Sequence, residues 1–168
     1  SGLHVQDGEE LLPLNPKPGR GNFFLKPNGV FAIDTEGKAH IVVAERFPDL
    51  AGPHRLGLQS GPMLLIDGEP HPKFRADSDS KLHRNGIGIV HDTGEVLLMM
   101  TDFRGRTRVN LFTFAMLFRE FGCRDALFLD GDLSRIYLAG ADEGDRELRP
   151  PLNGNRYGAV LAVTEAVE

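Results

Sequence analysis

The apolar residues of this chain occur in short runs separated by turn-forming residues, which is the pattern of β-strands joined by tight turns. A hairpin is predicted where Gly29–Ile33 and Ile41–Val43 flank residues 34–37, and another where Gly86–Val90 and Glu95–Thr101 flank residues 92–94. Other short apolar runs are Phe23–Leu25, Met63–Ile66, Ala126–Leu129, Ile136–Leu138 and Gly158–Val163. The pattern therefore predicts a protein built mainly of strands.

Two stretches have helical character. Apolar residues recur three and four positions apart in Asn110–Phe121, with Asn110 as a suitable N-cap and Gly122 as a suitable stop. The phenylalanines of this stretch are expected to pack in the core. Phe47–Gly52 is predicted to form one further helical turn.

Two long polar stretches, Glu69–Asn85 and Ala141–Asn155, lack any periodicity. Loops of this length within a compact domain are usually functional or disordered. Neither stretch marks a convincing boundary between domains, and the 168 residues suit one domain with a sizeable core.

Composition excludes several classes of function. The net charge is −5 and no face rich in lysine and arginine stands out, which argues against a nucleic-acid partner. The apolar runs are too short to span a bilayer. The single cysteine, Cys123, excludes an internal disulfide and is expected to be a buried thiol.

Motifs for metals and cofactors are also lacking. The six histidines do not have the paired spacing of a zinc site, and no glycine-rich nucleotide loop occurs. Ser134 lacks the flanking glycines of a nucleophile elbow. No cofactor is predicted. A bound divalent cation such as calcium stays an alternative, because Asp130–Asp132 and Asp142-Glu143 offer oxygen ligands.

Polar residues follow or precede glycine at several predicted strand ends. These pairs are Gln59-Ser60, Arg84-Asn85, Thr101-Asp102 and Asp130-Gly131. Each taken alone is more often turn chemistry, because Asp-Gly and Asn-Gly are common turn dipeptides. If these strands share one sheet, however, the polar groups converge on one rim, where Asp130 is presented by the buried strand before it.

Arg84 has two alternative interpretations. A guanidinium offers a rigid fork of donors that suits phosphate or carboxylate. The alternative is an exposed arginine in a loose surface ion pair, which contributes little to stability. The sequence pattern alone does not decide between them.

Four blocks together resemble the phosphodiester glycosidase family. The blocks are Gly21–Phe31, Gln59–Leu64, Arg84–Gly88, and Leu129–Gly131 with Ser134 and Tyr137. The resemblance covers nearly all of residues 1–168, and its blocks occur in the family's order. In the bacterial relatives, further residues precede the equivalent of Leu3 and include an Asn-Ala-Gly segment. We therefore expect either that this chain lacks that part of the site, or that the segment binds to the chain as a separate partner.

The resemblance implies an α+β fold, with a β-rich sheet and packed helices, and hydrolysis of a sugar–phosphate diester outside the cytoplasm. In this hypothesis Asp130 is the nucleophile or the base that activates water, and Arg84 grips the phosphate with help from Gln59 and Lys26. Ser134 and Asn110 orient the sugar or the acid. The other expected substrate-binding residues, from the matching blocks, are Asn28, Ser60 and Gly131.

A non-catalytic module that binds envelope glycans or sugar phosphates is the alternative function. The same polar rim would then hold a ligand without cleaving it. The absence of tryptophan and the presence of only two tyrosines weaken this alternative, because sugar binding usually uses aromatic platforms.

Overall fold

Two five-stranded antiparallel sheets pack face to face in this protein. The computed structural model describes residues 2–50, 52–102, 107–131, 136–138, 146–148 and 160–164. The strands of the first sheet, in spatial order, are β2 (Glu9–Leu12), β1 (His4–Gln6), β5 (His54–Ser60), β3 (Gly29–Asp34) and β4 (Ala39–Val43). The strands of the second sheet are β7 (Glu69–Pro70), β6 (Met63–Ile66), β10 (Cys123–Asp130), β8 (Asn85–Val90) and β9 (Val96–Met100).

The apolar core has three layers because both sheets are covered on both faces. Between the sheets, Phe31 and Ile41 of the first pack against Met63, Ile87 and Leu127 of the second. The outer face of the first sheet lies under a 3₁₀ helix, Ala44–Asp49. The outer face of the second sheet lies under the helix α1, Leu111–Glu120. Burial on both faces explains the continuous apolar runs of the inner strands β3 and β6.

The helix α1 forms as its sequence predicts. The Asn110 side chain caps it by accepting a hydrogen bond from the Thr113 N–H at 2.8 Å. Phe114 and Phe118 are fully buried and meet edge to face. Gly122 follows the helix with a φ of 81°, a conformation that favours glycine at a helix end. The predicted N-cap and stop are confirmed, and so is the core packing of Phe114 and Phe118. The expectation that all phenylalanines of this stretch pack in the core is wrong for Phe121, which is 60 % exposed beyond the end of the helix.

Most predicted strands are confirmed, including both hairpins and Met63–Ile66. The α+β class with mainly β content is confirmed too. Cys123 is buried as expected, and burial raises the pKa of its thiol. Leu82, within the predicted loop 69–85, forms an isolated bridge with Val109.

Other expectations are corrected by the structure. The predicted turn at 47–52 is a 3₁₀ helix that begins at Ala44 and contains Pro48. The run Phe23–Leu25 lies mostly in another 3₁₀ helix, Asn22–Phe24. The strand predicted at Gly158–Val163 is wrong for its described part: residues 160–164 have no regular secondary structure, and Leu161 packs against the core between the sheets.

The run Ile136–Leu138 is the strand β11, and it pairs with β12 (Arg146–Leu148). The latter is the described part of the predicted loop 141–155. Within the described residues, no helix is long and apolar enough to cross a membrane.

Candidate active site

Several strand ends meet at one edge of the two stacked sheets. Ser60 ends β5, Asn85 begins β8, Thr101 follows β9, and Asp130 ends β10. The strands that carry these residues belong to two sheets, not to one sheet as the sequence suggested. The stacking of the sheets nevertheless brings the polar groups to the same edge.

Ser60 joins the two sheets at this edge. Its hydroxyl donates to the Phe128 carbonyl oxygen at 2.7 Å and to that of Leu129 at 3.1 Å. Both carbonyls belong to the two residues of β10 directly before Asp130, in the second sheet. Ser60 therefore fixes the end of β10 against the first sheet.

Asp130 is the exposed last residue of β10, and its backbone is held on both sides. Its N–H donates to Asn85 Oδ1 at 2.6 Å, and its own Oδ1 accepts the Gly131 N–H at 2.6 Å. A Cβ at Gly131 would lie 2.5 Å from the His83 carbonyl oxygen, so a larger residue does not fit there. These contacts hold an exposed carboxylate in one place.

A cavity of about 420 Å³ opens beside Asp130. This volume lies within the range of small-molecule sites, about 300–1,000 Å³. Its described lining residues are Asn22, Phe23, Phe24, Ser60, Gly61, Phe128, Leu129 and Asp130. The residues that line it thus include a carboxylate, a hydroxyl and an amide beside three phenylalanines and a leucine, a mixture of polar and apolar groups that a ligand site requires.

Arg84 lies next to this edge but is buried, with 2 % of its surface exposed. Its Nε donates to the Val109 carbonyl at 3.2 Å, and its Nη2 donates to the Ser80 carbonyl at 3.0 Å. The guanidinium carbon is 5.6 Å from the centre of the Phe128 ring. The alternative of an exposed surface arginine is therefore wrong, but Arg84 is not among the described residues that line the cavity.

Two predicted ligand-binding amides hold the protein chain itself. Gln59 Oε1 accepts the N–H groups of Leu3 and Asn15, and its Nε2 donates to the Asn15 carbonyl. Asn110 Nδ2 donates to the Ala76 and Ser78 carbonyls while its oxygen caps α1. Neither residue is among those that line the cavity.

The remaining predicted residues differ in position. Lys26 forms an ion pair with Glu45 at 2.7 Å, which holds the pKa of that carboxyl below its usual value. Asn28 is buried beside Gly61, and its Nδ2 donates to the Phe23 carbonyl at 2.9 Å. Ser134 lies outside the described residues.

Sequence reasoning missed the aromatic part of the cavity. Phe23 and Phe24 line it, although their apolar run was attributed to a strand. A signal was present: two adjacent aromatics just before a Lys-Pro-Asn segment do not alternate as a half-buried strand does. Asn85, which orients Asp130, was noted only as a turn residue.

A larger cavity, of about 610 Å³, lies at the other end of β10, beside Arg124 and Asp125. It is roughly 20 Å along the strand from Asp130. Two of its polar side chains form ion-pair contacts: His40 with Asp34, and Arg124 with Asp67. Burial raises the pKa of Asp125. The smaller cavity, where the strand ends converge, is the better candidate for chemistry.

The described residues contain no cluster of three or more histidine, cysteine or acidic side chains that would hold a metal ion. Asp132, Asp142 and Glu143, which the sequence offered as oxygen ligands for a cation, lie outside the described residues.

The sequence of this chain matches a known protein family. Residues 1–164 match the sequence profile of the family described as phosphodiester glycosidase. The chain belongs to the phosphodiester glycosidase family. Among relatives of this family member is Escherichia coli (strain K12) uncharacterized protein YigE, which is 31 % identical over 140 residues, or 83 % of this chain and 52 % of YigE.

A solved structure shares the fold of this family member. It is the zebrafish N-acetylglucosamine-1-phosphodiester alpha-N-acetylglucosaminidase catalytic domain, auto-inhibited by its pro-peptide, with a TM-score of 0.53 and 18 % identity. The match covers 78 % of this chain and 45 % of that one. The chain thus spans about half the length of the proteins it matches.

Proposed function

We propose that this protein hydrolyses a glycosyl phosphodiester at the bond between the sugar's anomeric carbon and the phosphate oxygen. The observation that carries the proposal is the exposed Asp130 carboxylate at the edge of a small cavity. It accepts the Gly131 N–H, while Asn85 Oδ1 accepts the backbone N–H of Asp130. Membership of the phosphodiester glycosidase family supports this class of bond. The zebrafish enzyme of similar fold is named for a phosphodiester of N-acetylglucosamine.

The proposed reaction needs little help from a general acid. The bond from the anomeric carbon to oxygen breaks, the electron pair leaves with the phosphate monoester, and water supplies the new hydroxyl. A phosphate monoester is a far better leaving group than an alcohol, so the main requirement is a carboxylate near the developing oxocarbenium ion. Asp130 supplies it, either by attacking the anomeric carbon or by taking the proton of the attacking water.

In this proposal Arg84 supplies the positive charge for the phosphate. Its guanidinium is 5.6 Å from the centre of the Phe128 ring and outside the cavity lining, and a buried charge acts over a longer range than a charge in water. Gln59 and Asn110 contribute indirectly. Their amides bond to the N-terminal segment and to α1, and these bonds stabilise the edge where Asp130 lies. A location outside the cytoplasm and the role of Ser134 remain predictions from the resemblance.

The test measures release of a phosphate monoester from an α-glycosyl p-nitrophenyl phosphodiester, with phosphatase coupling to free the coloured phenol. We expect turnover by the wild-type protein and a loss of roughly 10³-fold or more in Asp130→Asn, because the variant keeps the shape but not the charge. Asp125→Asn is the matched control, since it changes the other end of the same strand.

Equal turnover in wild type and Asp130→Asn would overturn the assignment of the carboxylate. Saturable binding of the diester without any product would instead favour the non-catalytic binding module. Where turnover occurs, the anomer released in the first minutes, seen by proton NMR, distinguishes nucleophile from base: retention indicates the former and inversion the latter.

A further inference from the structure

Phe23 and Phe24 form an aromatic pair in the wall of the cavity that contains Asp130. Their ring centres are 4.9 Å apart and their planes meet at 84°, an edge-to-face contact. Both side chains are only half-buried. Aromatic side chains usually bury most of their apolar surface. These two rings are partly exposed beside polar groups, so part of their surface is available to a ligand.

Contacts from outside the pair hold these two residues in place. A Cβ at Gly19 would lie 2.6 to 2.7 Å from three carbon atoms of the Phe24 ring, so the Gly19 backbone lies close against that ring. The Phe23 carbonyl accepts the Asn28 Nδ2 hydrogen bond. A Cβ at Gly61 would lie 2.9 Å from the same carbonyl and 2.5 Å from Asn28 Cβ. The aromatic wall is thus fixed before any ligand binds, which lowers the entropy cost of binding.

The cavity combines this apolar wall with the polar groups of Asn22, Ser60 and Asp130. A pyranose ring has the matching chemistry, because one face presents C–H groups while hydroxyls project around its rim. Because the two ring planes are nearly perpendicular, a pyranose can stack on only one of them, and there it lies beside the polar residues Asn22, Ser60 and Asp130.

We propose that Phe23 and Phe24 are the subsite for the apolar face of the substrate's sugar ring, with Phe24 as the main contact. This proposal rests on the proposed function, because it assigns the sugar of the glycosyl diester to this wall. Asn28 is then a positioning residue that holds the wall, and it needs no contact with the substrate.

A fluorescent reporter tests the subsite directly, since the chain has no tryptophan. Phe24→Trp places the single indole in the wall, and Phe121→Trp places it on an exposed position after α1 as the matched control. Methyl α-glucoside and methyl α-N-acetylglucosaminide are the sugar probes, and inorganic phosphate is the anion probe. We expect a saturable change in Phe24→Trp emission with at least one sugar, none with phosphate, and none in Phe121→Trp.

Kinetics of Phe24→Leu give the second measurement. Losing the ring face should raise KM for the glycosyl diester, and the inhibition constant of the methyl glycoside, by about 3- to 10-fold while kcat changes less. Wild-type values of both constants, together with silent Phe24→Trp emission, would overturn the subsite. If the Phe24 variants give this result while Asp130→Asn is inactive, only the subsite is overturned and the proposed function still holds.

Sugar binding without hydrolysis would support the subsite and contradict the proposed function. A sugar-dependent change in Phe24→Trp emission from a protein that releases no phosphate monoester supports the subsite and overturns the hydrolase. A response of Phe24→Trp to inorganic phosphate alone would assign the wall to the phosphate side of the substrate and overturn the sugar subsite.

Discussion

Arg84 is a buried cation that connects two segments of the protein backbone. Its guanidinium donates to the carbonyl of Ser80, before β8, and to that of Val109, before α1. Its own N–H donates to Thr101 Oγ1 at 2.9 Å. A planar fork of donors suits this bridging better than an ammonium group does. At the residue scale, the same side chain is therefore structural and, in the proposed function, electrostatic.

Removing the Arg84 side chain is expected to destabilise the protein. Arg84→Gln leaves carbonyl groups without charged donors and should lower the free energy of unfolding by about 2–4 kcal/mol, measured by urea denaturation. Arg84→Lys keeps the charge but not the fork, and should lose a similar amount. If the charge serves the phosphate, the lysine variant retains clearly more activity than the glutamine variant. Equal activity in the two would contradict that role.

At the scale of elements, Asn110 ties the helix to the loop that precedes β8. Its side-chain oxygen caps α1, and its nitrogen bonds to the carbonyls of Ala76 and Ser78. The loop between β7 and β8 thus gains order from a helix cap and not from strands of its own. Ser80, one of the partners of Arg84, lies in the same loop.

Asn110→Ala is expected to lower the free energy of unfolding by about 2–4 kcal/mol, because both the cap and the loop bonds are lost. Asn110→Ser keeps a capping oxygen but cannot reach both carbonyls as a donor, so its loss should be intermediate. Chemical denaturation of the three proteins provides the comparison. A serine variant no more stable than the alanine variant would show that the cap contributes little.

Ser60 acts between elements of different sheets, and its removal should affect activity more than stability. Ser60→Ala removes the bonds to the Phe128 and Leu129 carbonyls at a cost of about 1 kcal/mol. Because the end of β10 then loses its anchor, we expect kcat on the glycosyl diester to fall while KM changes little. Thr93→Ala, which removes an exposed hydroxyl in the β8–β9 turn, is the control and should keep wild-type kinetics.

At the scale of the whole molecule, buried titratable groups make stability depend on pH. Burial, with the nearby positive charge of Lys73, lowers the pKa of His71 below its usual value near 6.5. Nδ1 of this ring accepts the Lys73 N–H at 3.1 Å, so the ring is neutral in the folded protein. The ring also stacks on Phe74.

Stability should therefore fall as the pH falls below about 6.5. In that range the unfolded chain binds a proton at His71 that the folded protein does not, which favours unfolding. His71→Phe keeps the stacking surface and removes the titration, so its unfolding free energy should decline less between pH 7 and pH 5. Parallel slopes for the variant and the wild type in urea denaturation would contradict this prediction.

Elements whose stabilising contacts are local could be predicted from the order of the residues alone. The two hairpins follow from alternation and turn residues a few positions apart, and α1 follows from Asn110, its apolar spacing and Gly122. The family could be predicted in the same way, because the matching blocks lie in order along the chain. Asp130 was predicted at a strand end because a short apolar run stops there.

Which of these groups lie close together depends on how the two sheets pack, and the sequence pattern does not show this. β5 was missed because His54–Ser60 is not strongly apolar, and it is stabilised by pairing with β1 and β3 on its two sides. Ser60 reaches Phe128 across 68 positions of the chain, and Asn85 reaches Asp130 across 45. Most side-chain bonds of Gln59, Arg84 and Asn110 are non-local as well, although Arg84 reaches Ser80 across only 4 positions and Asn110 reaches Thr113 across only 3. Their partners depend on how the sheets stack, and no local pattern of residues encodes that packing.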